Sequence, residues 1–498
     1  MSRNPVQLIT YADRLGGDLP RLTALLRQEP WASAFRGVHV LPFYTPYDGA
    51  DAGFDPSDHQ AVDPRLGTWE HVADLARTHE VMADAIVNHV SSSSREFQDV
   101  VTRGAGSPYA PMFLTMSSVF PGGATEQDLT RIYRPRPGLP FTPATLGAER
   151  RLLWTTFTPQ QIDLDVRSPA ARTYLTSVMA ALAQGGVSMV RLDAVGYAVK
   201  SPGTSSFMTP ETHQFIAELT AEARALGVEV LVEVHSHYER QVAIGRAVDR
   251  VYDFALSPLL LHALSTGDGS ALARWQAIRP ANAVNVLDTH DGIGIVDVGP
   301  DQTEPDRPGL LTPDELDALV EGIHERTGGS SRLATGTAAS NLDIYQVNST
   351  YYDALGRDDH RYLLARAVQL FTPGVPQVYY VGALAGTNDV DLLRSTGVGR
   401  DINRHCYTPA EITAALERPV VQALFALCSL RNSHPAFGGT FHFTSSNDGR
   451  VLTYTWRHGD AHATLVCGLA QAGARLEWSR LHGAAGVSTD LLTDPPTT

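Results

Sequence analysis

The stretch "VSMVRLDA" (residues 187–194) decides how this sequence folds. It is a short, β-branched apolar run broken by a charged pair. Side chains alternate faces along a strand, so Arg191 and Asp193 point the same way. An ion pair on the inner face of a buried strand is costly unless its charges are paired or used. Two readings stand open here: a structural salt bridge, or groups that do chemistry.

Seven runs of the same kind flank it. They are "VQLITYAD" (6–13), "GVHVLPFYTP" (37–46), "VMADAIVNH" (81–89), "VEVLVEVHSH" (228–237), "RVYDFALSP" (250–258), "AVNVLDTHDG" (283–292) and "GVPQVYYVG" (374–382). Eight such runs with helical patterns between several of them predict an α/β chain, a (β/α)8 TIM barrel. One helix is explicit. "PETHQFIAELTAEARALG" (210–227) sets Phe215, Ile216 and Leu219 on one face and stops at Gly227. His89, Asp193, Glu233 and Asp291 fall at the C-terminal ends of their runs. In a barrel those ends form one rim, where active sites sit. Like charges gathered on one rim would repel, so the balance moves from a structural pair to a working one.

Two gaps are too long for a βα repeat. One is rich in Pro, Gly and aromatics ("RIYRPRPGLPF", 131–141); the other holds "GPDQTEPDRPGLLTPDEL" and "TGTAASNLDIYQ". Long insertions in a compact domain are usually functional. Past residue 435, "FHF", "RVLTYTW" and "ATLVCGLA", with the turn "SNDGR" (446–450), predict a small antiparallel β domain. The expected division is a barrel from 1–86, 168–292 and 357–434, inserted domain B at 87–167, inserted domain B′ at 293–356, and a C-terminal β domain at 435–498.

The 498 residues are 43% hydrophobic and 19% charged, as expected of a globular protein. A net charge of −15 argues against a nucleic-acid or anionic-membrane partner, so any anion must find a local basic pocket. Three cysteines (Cys406, Cys428, Cys467) lack metal-ligand spacing and suggest a reducing compartment. The first residues carry no secretory apolar core, and no apolar run approaches the roughly 20 residues that span a bilayer. A cytoplasmic location is expected.

Three rim carboxylates suit acid–base work on an acetal, which needs one group ionised and one protonated near neutral pH. Arg191, two residues before Asp193 on the same face, should hold that carboxylate ionised as a nucleophile. Glu233 follows the apolar "VEVLV" and faces other carboxylates; both raise a carboxyl pKa and suit a general acid. Asp291 beside His290 can grip hydroxyls and stabilise positive charge. Metal chemistry is the rival, but neither HxxxH nor HExxH spacing occurs.

The four motifs "DAIVNH" (84–89), "VRLDA" (190–194), "EVHSH" (233–237) and "LDTHD" (287–291) resemble, in order, those of the α-amylase family of glycoside hydrolases. So does the long insertion after the third strand. Thr289 departs from the Asn common there. Within the family the chain is most similar to the sucrose phosphorylase subfamily, through "GADAGFDPSDH" (49–59), "RIYRPRPGLPFT" (131–142), "DTHDGIG" (288–294), "AASNLDIYQ" (338–346) and "GRDINRH" (399–405).

The resemblance implies Asp193 as nucleophile, Glu233 as acid/base and Asp291 as transition-state stabiliser. It implies that Asp51, Phe54, His89, Arg191, His290 and Arg400 hold a glucosyl unit. Arg136, His235, Asp343, Tyr345 and Gln346 would form the acceptor site, where fructose and phosphate alternate. Sucrose and inorganic phosphate would give fructose and glucose 1-phosphate. No cofactor and no metal are implied, despite Asn88, and relatives suggest a homodimer. Arg136 offers a fork for phosphate, whereas Asp343 would repel it, so the 343–346 loop is expected to move between steps. Related acceptors (glucosylglycerol, glucosylglycerate, sucrose 6′-phosphate), sucrose hydrolysis or transglucosylation, and a catalytically inert barrel are the alternatives.

Overall fold

All eight apolar runs form strands in the computed structural model, which describes residues 4–134, 136, 138–302, 304, 306–338, 346–479 and 486–496. They are β1 (Gln7–Thr10), β2 (Gly37–Val40), β3 (Glu80–Ile86), β4 (Met189–Asp193), β5 (Glu229–Val232), β6 (Arg250–Asp253), β7 (Ala283–Asn285) and β8 (Val375–Tyr379). Each pairs in parallel with its sequence neighbours, and β8 closes on β1. The registers Arg191↔Asp84 and Leu192↔Val232 fix β4 between β3 and β5.

Alternation then sorts the side chains. The inward residues Met82, Met189, Leu231, Tyr252, Val284 and Val375 form an apolar cluster of their own, apart from the core that packs the helices. Buried polar side chains share the barrel interior with it. Tyr252 donates to Gln377 at 3.2 Å, Gln377 to Gln7 at 3.2 Å, and His39 Nε2 meets Asp84 at 3.0 Å. Buried polar groups need such partners, and here they supply one another. The rim above inherits a stiff floor.

The predicted helix runs over Pro210–Ala225. Thr209 caps it by accepting from Thr212 N–H at 3.2 Å, and Phe215, Ile216 and Leu219 are buried against the barrel. The first insertion is rooted where His89–Ser91 pairs antiparallel with Gln161–Asp163, and it carries the hairpin Phe141–Leu146/Glu149–Trp154. The second is rooted by Ile293–Gly294 pairing with Gln346–Val347 and carries the helices Pro313–Arg326 and Ser330–Ala338. Tyr133 of the first donates to Gln302 of the second, so the insertions touch above the barrel mouth. At the C-terminus, β9 (Thr440–Ser445), β10 (Val451–His458), β11 (Ala461–Gly468), β12 (Gly473–Trp478) and β13 (Gly486–Ser488) make one antiparallel sheet. Trp456 locks it to the barrel by donating to the Phe371 carbonyl at 2.7 Å.

The three cysteines are free thiols, with Cys428 and Cys467 buried. Among the described residues no single helix is long and apolar enough to cross a membrane.

Candidate active site

Arg191 answers the question its stretch raises, because it serves both readings. Its Nη1 lies 2.6 Å from Asp84 on β3 and 3.0 Å from Asp193 on its own strand, and Nη2 lies 3.8 Å from Glu233. One guanidinium therefore faces three carboxylates. Asp84 also has His39; His39 and Arg191 together overcome burial and hold its carboxyl well below the usual range.

Asp193 behaves otherwise than the sequence suggests. Burial pushes its carboxyl well up, Arg191 opposes this, and the charges of Glu233, Asp84 and Asp291 add to the rise. Arg191, expected to hold Asp193 ionised, is shared with Asp84 at 2.6 Å. Glu233 is oriented by the Ala194 N–H, which donates to Oε2 at 3.1 Å from a left-handed residue (φ 52°) just past β4. The Asp193 and Glu233 carboxylates thus lie on either side of the one Arg191 guanidinium.

Across the rim, Asp291 meets Arg400 at 2.9 Å and Arg404 at 4.0 Å. Against its burial, Arg400, His290 and Arg404 hold it far below the ordinary carboxylate range, so it is a fixed negative charge. Asp51 shares both arginines, at 3.3 and 3.8 Å. It sits in a run of three left-handed residues, Asp51, Ala52 and Gly53 (φ 52°, 54° and 89°), a strained turn of the kind that collects at functional sites. That turn delivers Phe54, whose ring stacks on His290 with centroids 4.9 Å apart and planes 8° from parallel. The Arg191 guanidinium lies 5.4 Å from the same ring. Burial drives His290 down to about 3, so it is neutral at working pH. His290 Nδ1 and Arg404 Nη2 are buried without hydrogen-bond partners among the described residues. Such orphaned polar atoms in a cleft suit a hydroxylated ligand.

His89 closes another side. Its Nε2 lies 2.9 Å from the Phe54 carbonyl and 3.1 Å from Gln161, and burial lowers its pKa. Behind it, the Lys200 ammonium donates to Asn88 at 2.6 Å and pairs with Asp163 at 2.5 Å, so a positive charge already neutralises that donor set. On the opposite side, His235 Nδ1 meets Asp297 at 2.9 Å, and its Nε2 lies 3.3 Å from Gln346 and 3.8 Å from Glu233. Arg136 lies close enough to Asp51 and Tyr197 for its charge to act on both. Asp343 and Tyr345 lie outside the described residues.

Glu233, His235 and Asp291 bring one ligand atom each within 4.8 Å of one another. Arg191 and Arg400 already offset two of these charges, so the set suits sugar hydroxyls and a cationic transition state better than a divalent ion.

All predicted rim residues that are described converge on one cleft. Sequence reasoning did not single out Arg404, which is 1% exposed and donates to the His290 carbonyl at 2.9 Å. It also missed Asp297 and the aromatic wall of Tyr133, Phe157, Tyr197 and Phe207, whose rings meet at 4.7–6.3 Å. The "GRDINRH" and "RIYRP" stretches held the signal for Arg404 and Tyr133.

A closed parallel barrel whose rim carries three carboxylates and a shared arginine defines an α-amylase-type catalytic domain. Residues 34–245 match the family described as "Alpha amylase, catalytic domain". Sucrose phosphorylase from Bifidobacterium adolescentis is 56% identical, over 99% of each chain. Sucrose phosphorylase from Agrobacterium vitis is 56% identical, over 95% of this chain and 97% of its own. The crystal structure of sucrose 6F-phosphate phosphorylase from Thermoanaerobacter thermosaccharolyticum superposes with a TM-score of 0.90 at 35% identity, covering 98% of each chain. This chain belongs to the sucrose phosphorylase group of the α-amylase family.

Proposed function

We propose that this chain is a sucrose phosphorylase that converts sucrose and inorganic phosphate to α-D-glucose 1-phosphate and D-fructose with retention. The observation that carries the reading is the convergence of Asp193, Glu233 and Asp291 on one rim, with Arg191 and Arg400 each facing a carboxylate within 3.0 Å. Near-full-length identity to two sucrose phosphorylases supports it.

In the first step, Asp193 attacks the anomeric carbon while Glu233 protonates the leaving fructose oxygen. Asp291, fixed as an anion, stabilises the positive charge developing on the ring. Asp51, Arg400, Arg404, His89 and His290 hold the glucosyl hydroxyls, and Phe54 lies under the ring. In the second step, Glu233 takes the proton of the incoming phosphate, which attacks the β-glucosyl-enzyme. Two inversions at one carbon give net retention. Arg136, His235 and Gln346, with Asp343 and Tyr345, form the acceptor side. The enzyme works in the cytoplasm as a homodimer, without metal or cofactor.

Purified protein is incubated with sucrose, with and without phosphate, and the products are quantified. Equal amounts of fructose and glucose 1-phosphate, made only with phosphate, are expected. Free glucose at equal rates in both tubes would identify a hydrolase. No turnover would point to another acceptor, to be sought by running the reaction backwards from glucose 1-phosphate.

A further inference from the structure

His235 is the one histidine near Glu233 whose ring is gripped by a second carboxylate, and the proposed mechanism uses neither that carboxylate nor its surroundings. Asp297 is fully buried and receives three donors. His235 Nδ1 meets its Oδ2 at 2.9 Å, while the Ser236 N–H and the Gln241 amide donate to Oδ1 at 3.1 and 2.8 Å. Phe254 clamps the imidazole from its face, with ring centroids 3.8 Å apart and planes 17° from parallel. Stacking and the Asp297 contact thus fix the ring's plane and its Nδ1 partner in this structure. Its Nε2 lies 3.3 Å from the Gln346 amide nitrogen, which cannot accept from a protonated ring, and 3.8 Å from the Glu233 carboxylate, which can.

The sequence makes room for this arrangement. A Cβ on Gly294 would collide with Asp297 Oδ2 and lie 3.2 Å from His235 Nδ1. Gly294 closes the stretch "DTHDGIG" and begins the root of the second insertion, so the same residues that anchor the insertion shelter the His–Asp pair.

We propose that Asp297 is a positioning residue that holds His235 with Nδ1–H on its buried carboxylate and Nε2–H directed to the acceptor side, so that phosphate meets a charged donor that water does not need. This rests on the phosphorylase reading above and names the source of its preference for phosphate. Among the described residues, the carboxylates that face His235 are Asp297, Glu233 and Asp291. Burial alone would favour the neutral ring, but these three charges, Asp297 foremost, raise its pKa above the ordinary value. The charge on His235 is therefore complete below about pH 6.5, the unperturbed value, and is lost as pH rises through the raised one. A charge-assisted hydrogen bond to phosphate is correspondingly stronger on the acid side.

The test is Asp297→Asn in the full chain. With its amide oxygen kept by Ser236 and Gln241, the new NH2 group faces Nδ1 and favours a neutral ring. The ratio of glucose 1-phosphate to free glucose at fixed phosphate should fall about 10–100-fold, the range seen when carboxylate partners of functional histidines are removed. KM for phosphate should rise more than kcat falls, and the pH dependence of that KM should flatten. Histidine-selective 1H–15N spectra, with the His235 signal assigned by its loss in His235→Asn, should show the ring keeping its charge to higher pH in the parent than in the variant. Titration of that signal in the unsubstituted protein, which needs no variant to fold, should have a midpoint above about 6.5. A lower midpoint, or an unchanged product ratio and His235 spectrum in Asp297→Asn, overturns the proposal. A parent that makes no glucose 1-phosphate overturns the phosphorylase reading and the preference for phosphate with it, whereas a failed anchor shows in the spectra alone.

Discussion

Arg191 stands 2.6 Å from the buried Asp84 and 3.0 Å from the buried Asp193, with the partly buried Glu233 at 3.8 Å. Removing a buried ion's only strong partner costs far more than the pair itself contributes. Arg191→Met keeps the volume, strands Asp193 and leaves Asp84 with His39 alone, so unfolding in urea should show a loss of about 3–5 kcal/mol. Asp193→Asn should do the opposite. A carboxyl whose folded pKa is raised destabilises the native state above its unfolded pKa, progressively as pH climbs through the folded value. The Asn variant should therefore melt higher than the parent at neutral pH, with the gain vanishing near pH 3, while turnover falls by at least about 10^4-fold. Paired calorimetry and sucrose assays check both halves. Equal melting points at pH 7 would mean that Asp193 carries no strain.

The elements that hold the rim are short, and their end loops do the positioning. Lys200, just past the turn after β4, ties Asn88 at the end of β3 to Asp163 at the root of the first insertion. Asp163 also accepts from the Thr156 N–H at 2.9 Å and hydroxyl at 2.5 Å. Lys200→Met should leave Asp163 buried without its cation and lower stability by about 3–5 kcal/mol. Because His89↔Asp163 is a strand pair at that root, KM for sucrose should rise as well. A variant with the parent's denaturation midpoint would show that the Thr156 contacts suffice. At this scale the sequence was legible for the eight strands and the Pro210–Ala225 helix, since period and capping are local signals. It was silent on Arg404 and Asp297, since each lies far along the chain from the strands it serves.

Across the whole molecule, the C-terminal sheet covers the outer layer of helices. Phe437 stacks edge-on against Phe371 at 5.0 Å, and Arg431, itself buried, lies 4.7 Å from the Phe437 ring and 5.6 Å from that of Trp456. Burial lowers the Arg431 pKa to about 10, so the cation stays charged, held by those ring faces and by the Gly374 carbonyl, to which Nη2 donates at 3.2 Å. A chain ending at residue 434 would expose this apolar and cationic seam. Expression of 1–434 should give aggregated protein, measured as the fraction remaining soluble, while the full chain stays in solution. A soluble, active 1–434 would mean that the barrel is stable without its cover.

The sequence by itself determined the barrel, the rim and the three carboxylates. Strand period, apolar runs and polar residues at run ends are properties of neighbouring residues, and closure of eight parallel strands follows from their number and spacing. Only the tertiary structure decided how charge is distributed among those residues. Arg191 belongs to Asp84 as much as to Asp193, because the β3–β4 register sets Asp84 beside it. Arg404 is buried under Asp51 and Asp291, and His235 is seized by Asp297 sixty-two positions along the chain. Coulomb interactions fall off with distance in space and burial, not with separation in sequence, so only the folded chain decides which carboxylates share a cation.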